Sequence, residues 1–172
     1  VDTGPIFEHG ENCSPDFELK GISPGAKSIA ITLDDGSHPF FPNYNHWVIW
    51  NLPVQAVIPE GIPKGKSAER FNGAVQGIAY GRHRYRGPKP PFHSTHTYVF
   101  TVYLLDSKLD LPESSRKRDF SAAAKEHILQ RATLSENFKA TDHKYQPAPE
   151  RRRLRIEPLQ SFFTRGLDFW EK

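Results

Sequence analysis

The chain has 172 residues, 37% of them hydrophobic and 12% aromatic, with 15 prolines and a formal charge of +3. That length fits one domain with a real core, and no apolar stretch is long enough to span a membrane. From Lys139 onward there are eight Lys/Arg and five Asp/Glu, against fifteen of each before it, so the body is neutral. A neutral body argues against a nucleic-acid domain, which usually carries a basic face.

The opening residues, "VDTGPIFEHGENCSP", carry no basic-then-apolar leader, so no signal peptide is expected. Cys13 is the single cysteine, which excludes an internal disulfide. It fits a reducing compartment, and a cytoplasmic location is the expectation. "SIAITL" (28–33) alternates and ends at Asp34 and Asp35, so it reads as a strand. "HWVIWNL" (46–52) is apolar on both faces and stops at Pro53, as a covered central strand would. "IPEGIPKGKS" (58–67) is turn chemistry. "GAVQGIAYG" (73–81) reads as a short strand between glycines, and "RHRYRGPKPPFHS" (82–94) as a long polar loop. "TYVFTVYLL" (97–105) is β-branched and aromatic, the strongest strand of the chain. "SAAAKEHILQRA" (121–132) is predicted as a helix capped by Ser121, and "TLSENF" (133–138) as a last strand. Behind Pro158, residues Leu159, Phe162, Phe163, Leu167 and Trp170 recur at helical spacing, which predicts an amphipathic helix over 154–171. Frequent Pro with short apolar runs points to a loop-rich β protein.

The chemistry-bearing residues gather at strand ends. Asp34 and Asp35 close one strand, His46 opens a second, and His96 and Tyr98 open a third. Residues i and i+2 share a face of a strand. His46 is therefore placed with Val48 and Trp50, and His96 with Tyr98 and Phe100. If the three strands lie in one sheet, two imidazoles converge at one rim with Asp35 in reach. Such imidazoles, with the backbone N–H groups of a Pro/Gly loop, suit a phosphate or carboxylate. Asp35, His46 and His96 have no short-range metal-ligand spacing, so no metal is expected. Nor is there a G-x-S-x-G nucleophile motif.

Taken in order, "GENCSPDFELKGISPGAKSIAITLDD", "DGSHP", "HWVIWNLP", "GAVQG", "GPKPP", "HTYVFTVYLLD" and "AAAKEHILQRATL" resemble the phosphatidylethanolamine-binding protein family, in its bacterial and archaeal Raf-kinase-inhibitor-like branch. The resemblance runs from about Glu11 to about Phe138. It implies an all-β fold: an antiparallel, Greek-key-like β-sandwich with one or two peripheral helices and a small anion pocket at one end of the large sheet. It divides the chain into a family domain, 1–138, and a basic, Pro-containing extension, 139–172.

Carried over by position, the pocket uses Asp35, His46, Pro90, His96 and Tyr98, with Tyr44 as an aromatic wall. The His38–Pro39 bond is expected to be cis, as in the family's corresponding loop. Ser37 stands where the family usually has a second Asp, and Thr97 where it usually has Arg. Arg82, Arg84 and Arg86 could restore positive charge near the mouth. The resemblance implies a non-catalytic binding protein for phosphate-bearing, phospholipid head-group-like ligands. No cofactor and no nucleic acid is expected. Partner expectations are a kinase or protease, an anionic membrane met by the basic tail, and a homodimer formed through the tail helix. Two alternatives stay open: a phosphoester hydrolase or lyase with Asp35 as base, and a pure protein-interaction factor.

Overall fold

The computed structural model describes residues 13–91, 94–139, 154–156 and 160–161. Along the chain lie β1 (Phe17–Leu19), β2 (Ser28–Asp35), β3 (Tyr44–Leu52), β4 (Val57–Ile58), β5 (Ser67–Ala68) and β6 (Ala74–Gln76). They are followed by β7 (Thr95–Leu105), α1 (Lys117–Ala124), β8 (Ile128–Lys139), β9 (Leu154–Ile156) and β10 (Gln160–Ser161). Seven strands form one antiparallel sheet in the order β10-β8-β7-β2-β3-β6-β5. The chain leaves β2 through β3 and β6 and returns as β7 on the other side of β2, which is the Greek-key connection. A three-stranded sheet, β4-β1-β9, forms the second layer.

The runs that are apolar on both faces now have a cause. One face of β2, β3 and β7 presents Ile29, Ile31, Leu33, Trp47, Ile49 and Phe100 to Phe17, Leu19 and Ile58 of the small sheet. The opposite face presents Ala30, Val48, Trp50 and Leu105 to Phe120 and Ala124 of α1. Each large apolar side chain so buried contributes roughly 1.5–3 kcal/mol relative to exposure.

One irregularity in β3 sets the geometry of the rim. Leu33 pairs with Trp47 and its neighbour Asp34 with Asn45, so His46 is an extra residue without a partner on β2. This is a β-bulge, which reverses the alternation of faces and re-aims a side chain. His46 therefore does not share a face with Val48 and Trp50, as strict alternation predicts. It turns to the side of Asp35 and Tyr98, and its ring centroid lies 5.2 Å from that of Tyr98. Asn45 holds the bulge: its Nδ2 lies 3.0 Å from the Leu33 carbonyl, 2.8 Å from the Trp47 carbonyl and 3.0 Å from Asp34 Oδ1. The amide thus serves backbone acceptors that the interrupted ladder leaves open. A second shift follows at Asn51, whose φ is 62°. Its side chain clamps Leu109 through both N–H and carbonyl, at 2.8 and 2.9 Å.

Several expectations are corrected. The helix starts at Lys117, not Ser121, and Asp119 Oδ2 accepts the Arg116 N–H at its entry. It ends at Ala124 and a short turn, Lys125–His127, follows. The stretch from Ile128 is strand, because it pairs with β7 from Leu105↔Ile128 to Thr95↔Lys139. That ladder overrides a weak helical preference. The strand expected over 73–81 is limited to β6. Within the expected tail helix, 154–156 and 160–161 are strands instead. Phe17–Leu19 offers a sheet edge, and Leu154–Ile156 satisfies its open backbone groups. That pairing is parallel, so the smaller sheet is not purely antiparallel. The remainder of the predicted helix, with Leu159, Phe162, Phe163, Leu167 and Trp170, lies outside the described residues. The His38–Pro39 bond is trans. In this turn His38 Nδ1 accepts the N–H groups of Phe40 and Phe41, at 3.3 and 3.1 Å.

Replacing Asn45 with Leu should cost about 1–3 kcal/mol of stability, because buried carbonyls lose their donor. Denaturant unfolding reads the loss. The imidazole NMR signals of His46 should move with it; an unmoved His46 would show that the bulge does not depend on Asn45.

Candidate functional site

Adjacent residues in a strand point to opposite faces, and Asp34 and Asp35 show what this does to two carboxylates. Asp34 turns toward α1, where Lys117 Nζ reaches its Oδ2 at 2.6 Å. Burial raises the Asp34 pKa, and Lys117, Asn45 and Thr32 oppose that rise. Asp35 turns toward the rim. Its Oδ2 lies 2.6 Å from His96 Nδ1, and its Oδ1 accepts the Ser37 N–H at 2.9 Å. Asp35, His46 and His96 are all buried, at 2%, 2% and 6% exposure. Thr97, where an arginine stands in the family pattern, instead bonds Asn137 at 2.8 Å, and Ser37 Oγ accepts the Thr97 N–H. The carboxylate of Asp35 is thus carried by His96 and by backbone, not by a guanidinium.

His46 is enclosed by rings. Tyr98 meets it edge-on at 5.2 Å, Tyr80 at 5.1 Å and Tyr44 at 6.1 Å. Its Nδ1 lies 3.2 Å from the carbonyl of Arg86. Its Nε2 is buried, with no hydrogen-bond partner among the described residues. Burial lowers its pKa to about 4, with the Arg86 carbonyl and Asp35 opposing and the charge of Arg86 adding to the fall. The imidazole is therefore neutral at neutral pH. Tyr98 accepts the Lys89 N–H at 3.2 Å, and burial together with Asp35 raises its pKa well above the ordinary phenol range. That bond anchors the Pro88–Pro90 segment on the rim; Pro88 and Pro90 are both buried. Tyr44 stacks on His38 at 4.8 Å and meets Tyr80 edge-on at 5.1 Å, forming one wall.

The structure thus brings Asp35, His46, His96, Tyr98 and Tyr44 to one end of the large sheet, with Pro90 beside Lys89. Two further residues belong there. Tyr80 covers His46, and the Arg86 guanidinium lies 3.8 Å over the Tyr80 ring. Arg86 is among the arginines expected to bring charge to the mouth, whereas Tyr80 reads as part of a strand. Its φ of 52° places it in a turn between Gly77 and Gly81. At Gly77 a Cβ would lie 2.5 Å from the Ser115 carbonyl and 2.7 Å from Trp50, so the chain can bend away from the sheet only without a side chain. The glycine-flanked "GIAYG" is the sequence signal for that turn. Among the described residues, no cluster of three or more His, Cys, Asp or Glu side chains could hold a metal ion. No helix among them is long and apolar enough to cross a membrane.

A two-layer β protein with a carboxylate–imidazole pair and a second, enclosed imidazole at one sheet end defines a recognisable class. The family model described as phosphatidylethanolamine-binding protein matches residues 2–139, and the chain belongs to that family. A UPF0098 protein of Pyrococcus abyssi is 39% identical over 123 residues, 70% of this chain and 68% of that protein. A second, from Pyrococcus horikoshii, is 35% identical, with the match covering 73% of this chain and 64% of the relative's length. The UPF0098 protein YbhB of Escherichia coli is 30% identical over 75% of this chain and 83% of its own. A solved structure from Chlamydia trachomatis, described as a phosphatidylethanolamine-binding protein homolog, is 27% identical. It superposes with a TM-score of 0.64 over 75% of this chain and 82% of that one. Escherichia coli YbcL, at 23% identity and a TM-score of 0.63, shares the fold.

Lys117→Met should destabilise the protein by ~2 kcal/mol near neutral pH, because it strips the cation from a buried carboxylate. The folded-state pKa of Asp34 is already raised, and losing Lys117 raises it further. A raised acid binds its proton more tightly folded than unfolded. The penalty is therefore full above the raised pKa and shrinks as pH falls through it. Urea unfolding at two pH values checks this: the gap between variant and wild type should narrow in acid.

Proposed function

We propose that the chain is a non-catalytic binding protein whose rim site takes a small phosphate-bearing anion. The observation that carries this reading is the unpartnered, buried Nε2 of His46 at the same rim as the Asp35–His96 pair. A buried polar atom without a partner costs free energy, so such an atom points to a missing ligand. The Arg86 guanidinium supplies positive charge beside it. Phe40 and Phe41, 80% and 59% exposed, form an apolar lip on the adjoining loop. Such a lip suits a ligand with an organic portion beyond its phosphate. It is also the surface on which a protein partner, such as a kinase or protease, would be met.

Catalysis by the same groups is the weaker reading. Asp35 already has acceptor bonds from His96 and Ser37 and so is committed to holding a ring, not to taking a substrate proton.

Titrating the full chain with methyl phosphate, followed by NMR, should shift the signals of His46, His96 and Tyr98. His46→Ala and His96→Ala should each weaken binding about tenfold or more while leaving the fold intact. A panel of phosphoesters should show no turnover. Shifts elsewhere on the surface with none at these residues would defeat the assignment.

A further inference from the structure

We infer that His46 reads a proton on the ligand: the site takes phosphomonoesters in their singly protonated form, the P–OH donating to His46 Nε2. Anions of equal charge that carry no hydroxyl, phosphodiesters among them, are rejected. The inference deepens the anion-site reading above and rests on it.

The argument starts from a tautomer. A carbonyl can only accept, so the contact between His46 Nδ1 and the Arg86 carbonyl fixes the hydrogen on Nδ1. In the neutral ring Nε2 is then a bare acceptor. It is buried, and no donor among the described residues reaches it. The rings around it belong to Tyr44, Tyr80 and Tyr98, and none of their hydroxyls is within hydrogen-bond reach of it. The partner that Nε2 lacks is therefore a donor. A phosphomonoester monoanion brings negative charge and one P–OH donor together. A sulfate ester or a phosphodiester brings the same charge but only acceptors, and would set lone pair against lone pair.

Protonating His46 would turn Nε2 into a donor and remove the discrimination. The groups that face it decide against this at neutral pH. Asp35 of β2 favours the proton, while Arg86 from the β6–β7 connection and His38 from the β2–β3 loop oppose it. Burial outweighs them all, and the ring gains a proton only near pH 4. Tyr98 adds no charge there, because burial raises its pKa well above the ordinary phenol range. A site that hydrogen-bonds a ligand hydroxyl strongly rejects analogues lacking it, because its own polar group is left unpaired.

Three probes test this on the full wild-type chain by calorimetry at about pH 5.5: methyl phosphate, methyl sulfate and dimethyl phosphate. Each then carries mainly a single negative charge, since a phosphomonoester loses its second proton near pH 6. Methyl phosphate should bind about ten- to a hundredfold more tightly than the other two. Its affinity should fall by up to about tenfold per pH unit above its second pKa, as the donor is lost. His46→Gln can turn an amide N–H outward, so it should bring methyl sulfate close to methyl phosphate. Equal binding of all three probes overturns the inference and leaves the anion site standing. A preference for methyl phosphate that does not weaken with pH, or that survives in His46→Gln, also overturns it. Failure of all three to bind overturns the anion site itself, and this inference with it.

Discussion

The extra residue at His46 is the constraint on which the rest of the rim depends. A strand has two faces and strict alternation, so without the bulge Trp47 and His46 could not both serve the same side of the sheet. Trp47 and Ile49 must enter the core between the layers, because their rings and branches face Phe17 and its neighbours there. Tyr44 and His46 must reach the end of that same face, where Asp35 and Tyr98 lie. One inserted residue meets both demands. Its cost is an interrupted ladder, and Asn45 limits that cost by serving the stranded carbonyls.

Alternation elsewhere on the sheet does complementary work. Asp34 and Asp35 are consecutive, buried acids, and two such charges on one face would repel. The pleat separates them, one to Lys117 on the helix side and the other to His96 on the rim side. Buried ion pairs are poor sources of net stability, since desolvation offsets much of the attraction. Their use here is to fix register. A slip of β2 by one residue would present each acid to the wrong partner.

Much of this architecture is legible in the chain. The apolar runs at 46–52 and 97–105 show strands covered on both sides, because no half-exposed strand would carry them, and 28–33 shows a strand by its alternation. The convergence of Asp35 with His96 follows from strand ends in an antiparallel sheet. The parity of His46 does not, because a bulge is chosen by what the flanking residues must bury, not by a local signature. The segment from Ile128 has helical spacing and is drawn into strand by eleven residues of β7 alongside it. The strands at 154–156 and 160–161 depend on edges elsewhere in the fold. Tyr80 escapes a reading by apolar runs because its place is set by a turn. The same turn is legible in the glycines around it.

The parallel pairing of Phe17 with Leu154 has a consequence for synthesis. Polypeptides emerge from the ribosome N-terminus first, at about 5–20 residues per second. The first strand of the smaller layer therefore leaves the tunnel on the order of ten seconds before its second neighbour exists. Through that interval it has only the two residues of β4 beside it, and its other flank stays open. The nascent chain is then most exposed to mispairing while its larger layer is already being assembled, and β9, made long after β1, closes that flank.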